Sequence, residues 1–243
     1  MIDFHSHVLP LIDDGAADVE TAVKMLELSK SQGVETIIAT PHFYSKKTNI
    51  KEFLEKRSKS YELVKNCVEE YKVDVPEIKL GAEVHFSHEI LKMDLSELCI
   101  EGTNTLLIEM PFSYWNRWVF DDLFELSVRN RVDVVMAHIE RYIGSPKYMG
   151  QIEELYDMNF YMQVNADSVL ERRMRKVIDH LFKKYRVDLI GTDMHNLDTR
   201  KSRIDEATEI IKKRYGKDIL EDIHNNSKKL VYQDGKKYDT KNK

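Results

Sequence analysis

Seven short runs of β-branched and aliphatic residues recur along this chain, and helical patterns lie between most of them. The runs fall at 2–7, 34–40, 77–84, 105–110, 132–139, 160–166 and 187–194. Helical patterns fall at 19–31, 50–71, 117–130, 147–158, 168–184 and 201–215, with a shorter one at 217–224. Asp18 suits the N-cap of the first helix, and Gly33 stands just beyond its end. Such alternation leaves few architectures. Parallel strands need long crossover connections, and helices supply them. The runs are apolar on both faces, as strands covered on both sides must be. No G-x-G-x-x-G follows the first run, so a dinucleotide-binding fold has no support. The pattern predicts a barrel of β/α units in a single α/β domain over 1–233, with 234–243 as a flexible polar tail.

Composition narrows the class further. Apolar residues make up 42% and charged residues 33%, enough for a sizeable core. The net charge is −5, with lysines and arginines scattered among acids. That balance argues against a nucleic-acid-binding surface. No apolar run approaches the ~20 residues of a membrane helix, and no signal-peptide pattern opens the chain, so no membrane insertion is expected. Cys67 and Cys99 are the only cysteines, which is no disulfide framework and fits a reducing cytoplasm.

In parallel β/α folds the chemistry sits at the carboxyl ends of the strands. The first run ends His5-Ser6-His7, with Asp14 in the loop beyond it. Two histidines two apart on a strand point the same way and can share an ion. The other runs end in His42, Glu83, Glu109, His138, Gln163 with Asn165, and Asp193 with His195. A lone histidine at a strand end is usually a solvated loop residue. Here five of nine histidines gather at strand ends, while His85, His88, His180 and His224 serve as controls. Five histidines and four carboxylates exceed one tetrahedral zinc site. They suit two or three divalent ions, with Mn, Fe or Zn favoured over Mg or Ca. Closely spaced ions of this kind hydrolyse phosphoesters.

The ordered set H-x-H, T-P-H, G-A-E, I-E, A-H-I-E-R and D-M-H resembles the PHP (polymerase and histidinol phosphatase) superfamily. Within it, DFHSHVLPLIDDGA, LGAEVH, AHIERY and GTDMHN look like the manganese-dependent protein-tyrosine phosphatases of bacterial capsule and exopolysaccharide loci. The resemblance spans about residues 1–197. It implies a distorted (β/α)7 barrel, TIM-barrel-like, with three divalent ions. By position, His5, His7, Glu83 and Asp193 would hold one ion; Glu83, Glu109 and His138 a second; Asp14, His42 and His195 the third. Asp13 is the alternative to Asp14. Arg141 matches the arginine that would bind the substrate phosphate. The implied partner is a bacterial tyrosine kinase of the polysaccharide export system, dephosphorylated in the cytoplasm.

Arg141 would grip two phosphate oxygens in a fork that lysine cannot copy, unless it merely pairs with Glu140 on the surface. Phosphotyrosine is long and flat, so its pocket should be deep and aromatic. Phe43, Tyr44, Phe112, Tyr114 and Trp115 lie in loops at the expected rim, with Phe43, Tyr114 and Trp115 as substrate contacts. A tyrosine leaving group, with pKa near 10, needs little help from a general acid. A cysteine-based tyrosine phosphatase is excluded, because C-x5-R is absent: Val73 stands six residues beyond Cys67, and Thr105 six beyond Cys99. The competing readings are another PHP phosphoesterase, acting on histidinol phosphate or DNA ends, and a non-catalytic metal-binding or kinase-docking module.

Overall fold

The computed structural model describes residues 1–112, 115–143 and 149–232. The polar tail and Tyr114 lie outside the described residues. Among the described residues there are nine strands: β1 (Ile2–Ser6), β2 (Thr36–Ala39), β3 (His42–Phe43), β4 (Glu77–Leu80), β5 (Glu83–His85), β6 (Thr105–Glu109), β7 (Asp133–Met136), β8 (Tyr161–Asn165) and β9 (Leu189–Gly191). Every strand pairing is parallel, in the orders β1-β2-β4 and β3-β5-β6-β7-β8-β9. The sheet curls until β9 lies beside β1. There the Asp193 N–H donates to the His5 carbonyl at 2.8 Å, and the His7 N–H to the Met194 carbonyl at 2.9 Å.

The helices are α1 (Val19–Ser31), α2 (Ile50–Tyr71), α3 (Arg117–Arg129), α4 (Glu140–Ile143), α5 (Met149–Asp157), α6 (Ala166–Leu170), α7 (Arg175–Lys184), α8 (Ile204–Tyr215) and α9 (Lys217–Val231). Asp18 caps α1 by accepting from the Thr21 N–H at 2.7 Å, as the sequence predicts. Asn49 caps α2 in the same way through the Glu52 N–H. Among the described residues, no helix is long and apolar enough to cross a membrane.

The expected run 77–84 divides into β4 and β5, and β3 is an added strand. Both departures have one cause. Pro41 has no N–H, so β2 cannot continue its ladder through it. The break is matched across the sheet at Gly81, whose N–H still donates to the Ala39 carbonyl at 2.9 Å. Beyond the break, the Glu83 N–H donates to the Pro41 carbonyl, and the strands resume. The stretch 168–184 divides into α6, a 3₁₀ turn and α7. The last helix runs to Val231 because Ile223, Ser227, Leu230 and Val231 bury one face.

A large apolar cluster fills the space between sheet and helices. A smaller one joins Phe4, Leu107, Val135, Ala137, Leu189 and Leu230. Leu107 and Glu109 are two apart on β6 and share a face. The smaller cluster therefore lies beneath the polar rim, and α9 reaches it at the other end, where its Leu230 carbonyl accepts from the Thr105 hydroxyl at 3.1 Å.

Candidate metal centre

Three histidines turn one nitrogen outward to an acceptor and the other inward. The His5 Nδ1–H donates to Gln163 Oε1 at 3.2 Å, the His7 Nδ1–H to Asp13 Oδ2 at 2.7 Å, and the His195 Nδ1–H to the Asp193 carbonyl at 2.9 Å. These acceptors take the Nδ1 proton and aim Nε2 of each ring at the rim, where it offers a lone pair whenever the ring is neutral. Outer acceptors of this kind orient metal-binding imidazoles.

The inward atoms converge. His5 Nε2 and His7 Nε2 stand 3.2 Å apart. Glu83 Oε2 is 3.3 Å from each, and Asp193 Oδ1 is 3.7 Å from His5 and 3.5 Å from His7. Lone pairs and carboxylates so close repel unless a cation or protons lie between them. A tetrahedron with bonds of about 2.1 Å has edges of about 3.4 Å, so His5, His7 and Asp193 suit three corners of a divalent-ion site, with Glu83 beside both imidazoles. Glu83 turns its other oxygen to His138 Nε2 at 2.9 Å, and Glu109 Oε1 lies 3.6 Å from the same nitrogen. Asp14 Oδ1 is 3.5 Å from His42 Nε2 and 3.4 Å from His195 Nε2. Distances also place His42 Nδ1 2.9 Å from Glu83 Oε2, so His42 spans two groups. Among the described residues, the buried atoms His42 Nδ1, Glu83 Oε2, His138 Nδ1 and His195 Nε2 lack a hydrogen-bond partner. A bound cation is one partner that can satisfy such atoms.

Charge balance follows the same geometry. Burial opposes protonation of His7, yet Asp13 and Glu83 push its pKa up to about 10. His5 is raised likewise, with Glu83 and Asp193 overcoming burial. Burial works against the charge of Glu83 and Asp193, but the neighbouring imidazoles hold both carboxyls below their usual range. Burial and the His7 charge bring His195 down to about 4. Protons on His5 and His7 thus supply the positive charge that the carboxylates require.

The backbone serves this convergence. Asp193 and His138 adopt left-handed φ of +52° and +35°, a strained choice for non-glycine residues. Gly15 explains the glycine after Asp13-Asp14: a Cβ there would lie 2.2 Å from the His7 carbonyl oxygen.

Asp14, not Asp13, faces the other inward groups; Asp13 supports His7 and His42 from outside. Arg141 does not pair with Glu140 on the surface. Its Nη2 donates to Asp193 Oδ2 at 2.5 Å, while the buried Glu140 accepts from Ser168 and the Asn165 N–H. Phe43 and Trp115 are corrections. Phe43 is buried against Phe53, and Trp115 is buried with its indole N–H on the Pro111 carbonyl. Both belong to the core, because they lie beneath their loops. Phe112 is the exposed aromatic, at 58%, stacked on Tyr142 at 5.2 Å and near His138.

Four further residues take part without having been assigned a role from sequence. Arg200 donates to Asp193 Oδ1 at 2.8 Å. His85, placed among the controls, has Nδ1 3.1 Å from Glu109 Oε2. Its signal was available, since Glu83 and His85 repeat the two-residue spacing of His5 and His7. Gln163 and Asn165 form a relay: Gln163 Nε2 donates to Asn165 Oδ1, and Asn165 Nδ2 to Asp193 Oδ2.

A curled parallel α/β sheet with clustered histidines and carboxylates at its carboxyl rim defines a protein of TIM-barrel-like architecture with a candidate metal site. Residues 1–232 match the family profile described as capsular polysaccharide synthesis, CpsB/CapC, and the chain belongs to that family. It is 30% identical over 242 residues to the tyrosine-protein phosphatase CpsB of Streptococcus pneumoniae, covering 95% of this chain and 98% of that one. It is 26% identical to the tyrosine-protein phosphatase YwqE of Bacillus subtilis, covering 95% and 91%. Among solved structures, one from the set of B. subtilis YwqE and S. pneumoniae CpsB, unique metal-dependent tyrosine phosphatases, superposes with a TM-score of 0.82. That match covers 96% of this chain and 94% of the other at 22% identity, and it shows the shared fold.

Proposed function

We propose that this chain is a metal-dependent protein-tyrosine phosphatase that acts on a bacterial tyrosine kinase of the polysaccharide export system and so regulates capsular or exopolysaccharide synthesis. The carrying observation is the convergence of His5 Nε2, His7 Nε2 and Asp193 Oδ1, with Glu83 Oε2 3.3 Å from both imidazoles. The family and its named phosphatase relatives support the substrate class. The two free cysteines support a cytoplasmic setting. We read residues 1–233 as one phosphatase unit, in keeping with the family match over 1–232. Its strands form a distorted (β/α)7 barrel in this reading, supported by the bridge from Ser6 to Met194.

Three ions, Mn in preference to Fe or Zn, are assigned to the rim. His5, His7, Glu83 and Asp193 hold the first; Glu83, Glu109 and His138 the second; Asp14, His42 and His195 the third. Three overlapping donor groups, which share His7 and His42, support more than one ion. Bound ions supply Lewis acidity, which activates water near neutral pH and offsets phosphoryl charge. The protein does the rest. Arg141 and Arg200 converge on Asp193 from two sides, and each offers a fork to phosphate oxygens. Phe112 presents its face at the rim, where stacking on the tyrosyl ring contributes ~0.5–1.5 kcal/mol. The relay from Gln163 to Asn165 fixes the imidazole and carboxylate that carry the first ion. Cys99 is buried, and burial pushes its thiol up to about 12, so it supplies no thiolate nucleophile.

The deciding experiment measures turnover of phosphotyrosine peptides, phosphoserine peptides and histidinol phosphate, with added Mn²⁺ and with chelator. Phosphotyrosine should be preferred, and chelation should abolish activity. Better turnover of histidinol phosphate, or activity indifferent to chelator, overturns the assignment.

A further inference from the structure

The inward donors and the two arginines have a cavity as neighbour, joined to them through Tyr44 and His85. This cavity, of about 430 Å³, opens between the loop after β3, the loop after β5 and the start of α3. That volume lies within the range of ligand pockets, about 300–1,000 Å³. Its walls include Tyr44, His85 and Trp118, with the exposed Lys46 and Lys47 at its lip. Two walls are shared with the rim. His85 reaches Glu109, and the Tyr44 ring lies 5.4 Å from the His42 ring and 5.2 Å from the His85 ring.

We propose that this cavity is a peptide subsite for an acidic stretch of substrate flanking the phosphotyrosine. The inference rests on the phosphatase reading and names the substrate class for it. Continuity with the rim is the first ground: a phosphotyrosine held at the inward donors places its neighbouring residues over the cavity. Charge is the second. The Lys47 ammonium stands 4.2 Å from the centre of the Tyr44 ring, and neither Lys46 nor Lys47 forms an ion pair among the described residues. Glu89, near Lys46, is the opposing charge in the lining. The lysines therefore offer local attraction in a chain whose net charge is −5. Rigidity is the third ground. The Ser45 and Ser87 hydroxyls bond across the two loops at 2.9 Å. The His88 Nδ1–H donates to the buried Asp122 carboxylate at 2.7 Å, and its ring meets Trp118 edge-on. Trp118 is held yet 49% exposed, the disposition of an interface anchor.

The test uses the full chain loaded with Mn²⁺ and three probes: a small aryl phosphate, a phosphotyrosine peptide with acidic flanks, and the same peptide with neutral flanks. Wild-type protein should favour the acidic peptide in KM by about 3–10-fold, and the preference should shrink with added salt. The double variant Lys46→Glu with Lys47→Glu should abolish the preference while leaving aryl phosphate turnover intact. Trp118→Ala should raise KM for both peptides several-fold at unchanged kcat. Equal KM for the two peptides in wild type overturns the proposal. So does an equal loss on aryl phosphate in the variants, which would mean that the cavity takes the tyrosyl ring itself. If wild type hydrolyses the aryl phosphate but shows no flank preference, only this inference falls; if it hydrolyses none of the three, the phosphatase reading falls with it.

Discussion

Asp13 and Asp14 are neighbours in one loop, yet their carboxylates do different work. Asp13 accepts from the His7 Nδ1–H, the His42 N–H and the Gly15 N–H. Burial opposes its charge, but the His7 contact and the two backbone donors bring its pKa down to about 2. Asp14 instead turns an oxygen toward His42 Nε2 and His195 Nε2. Two isosteric substitutions should separate these roles. Asp13→Asn keeps the shape but weakens the grip on His7, so metal affinity should fall about 10–100-fold and excess Mn²⁺ should restore kcat. Asp14→Asn removes an inward charge, and its turnover should stay depressed at saturating Mn²⁺. A Mn²⁺ titration of activity checks both. Identical titration curves for the two variants would refute the division of labour.

At the scale of the element, β9 comes close against β1 at Gly191. A Cβ on Gly191 would lie 2.5 Å from His5 Cβ and 2.9 Å from the His5 nitrogen, both in a fixed strand. Gly191→Ala should therefore force β9 away from β1 and carry Asp193 off His5 and His7. Overpacking of this kind costs about 1–3 kcal/mol. Thermal denaturation should show the loss, and bound metal, measured by elemental analysis, should drop with it. A variant with wild-type metal content would show that the strands have room to spare. The same strand explains what the sequence could convey. Polar residues at the ends of apolar runs were readable because strand direction and side-chain alternation are fixed by local covalent geometry, so all nine rim residues come together. Depth was not readable. Phe43 and Phe112 look alike in a loop, but only packing decides that Phe43 meets Phe53 while Phe112 stays exposed. Arg200 was missed because it sits seven residues beyond Asp193, and only the fold of that loop returns it to the carboxylate. The break at Pro41 and Gly81 was written in the residues, but its pairing across two strands depends on register.

For the whole molecule, the rim couples folding to metal and to pH. Without metal, His7 with its pKa of about 10 and His5, also raised, bind protons more tightly folded than unfolded. Their contribution to stability is fully present below the unfolded value of 6.5 and is lost as pH rises through the folded values. Glu83 and Asp193 have depressed values, so their contribution is present above the ordinary carboxylate range and is lost only in acid. His195, lowered to about 4, also costs stability only below pH 6.5. Chelated protein should therefore lose stability as pH rises above 6.5. Metal reverses the trend, because it displaces the protons from His5 and His7 and meets less competition as they become scarce. At a metal concentration about 100 times Kd, binding adds about 2.7 kcal/mol. For a chain of this length that is a rise in Tm of about 5–10 °C. Paired melts of chelated and Mn²⁺-loaded protein between about pH 6 and pH 9 measure the effect, and the gap in Tm should widen toward high pH. A gap that stays constant, or a chelated protein that grows more stable as pH rises, would show that protons do not stand in for the metal at this rim.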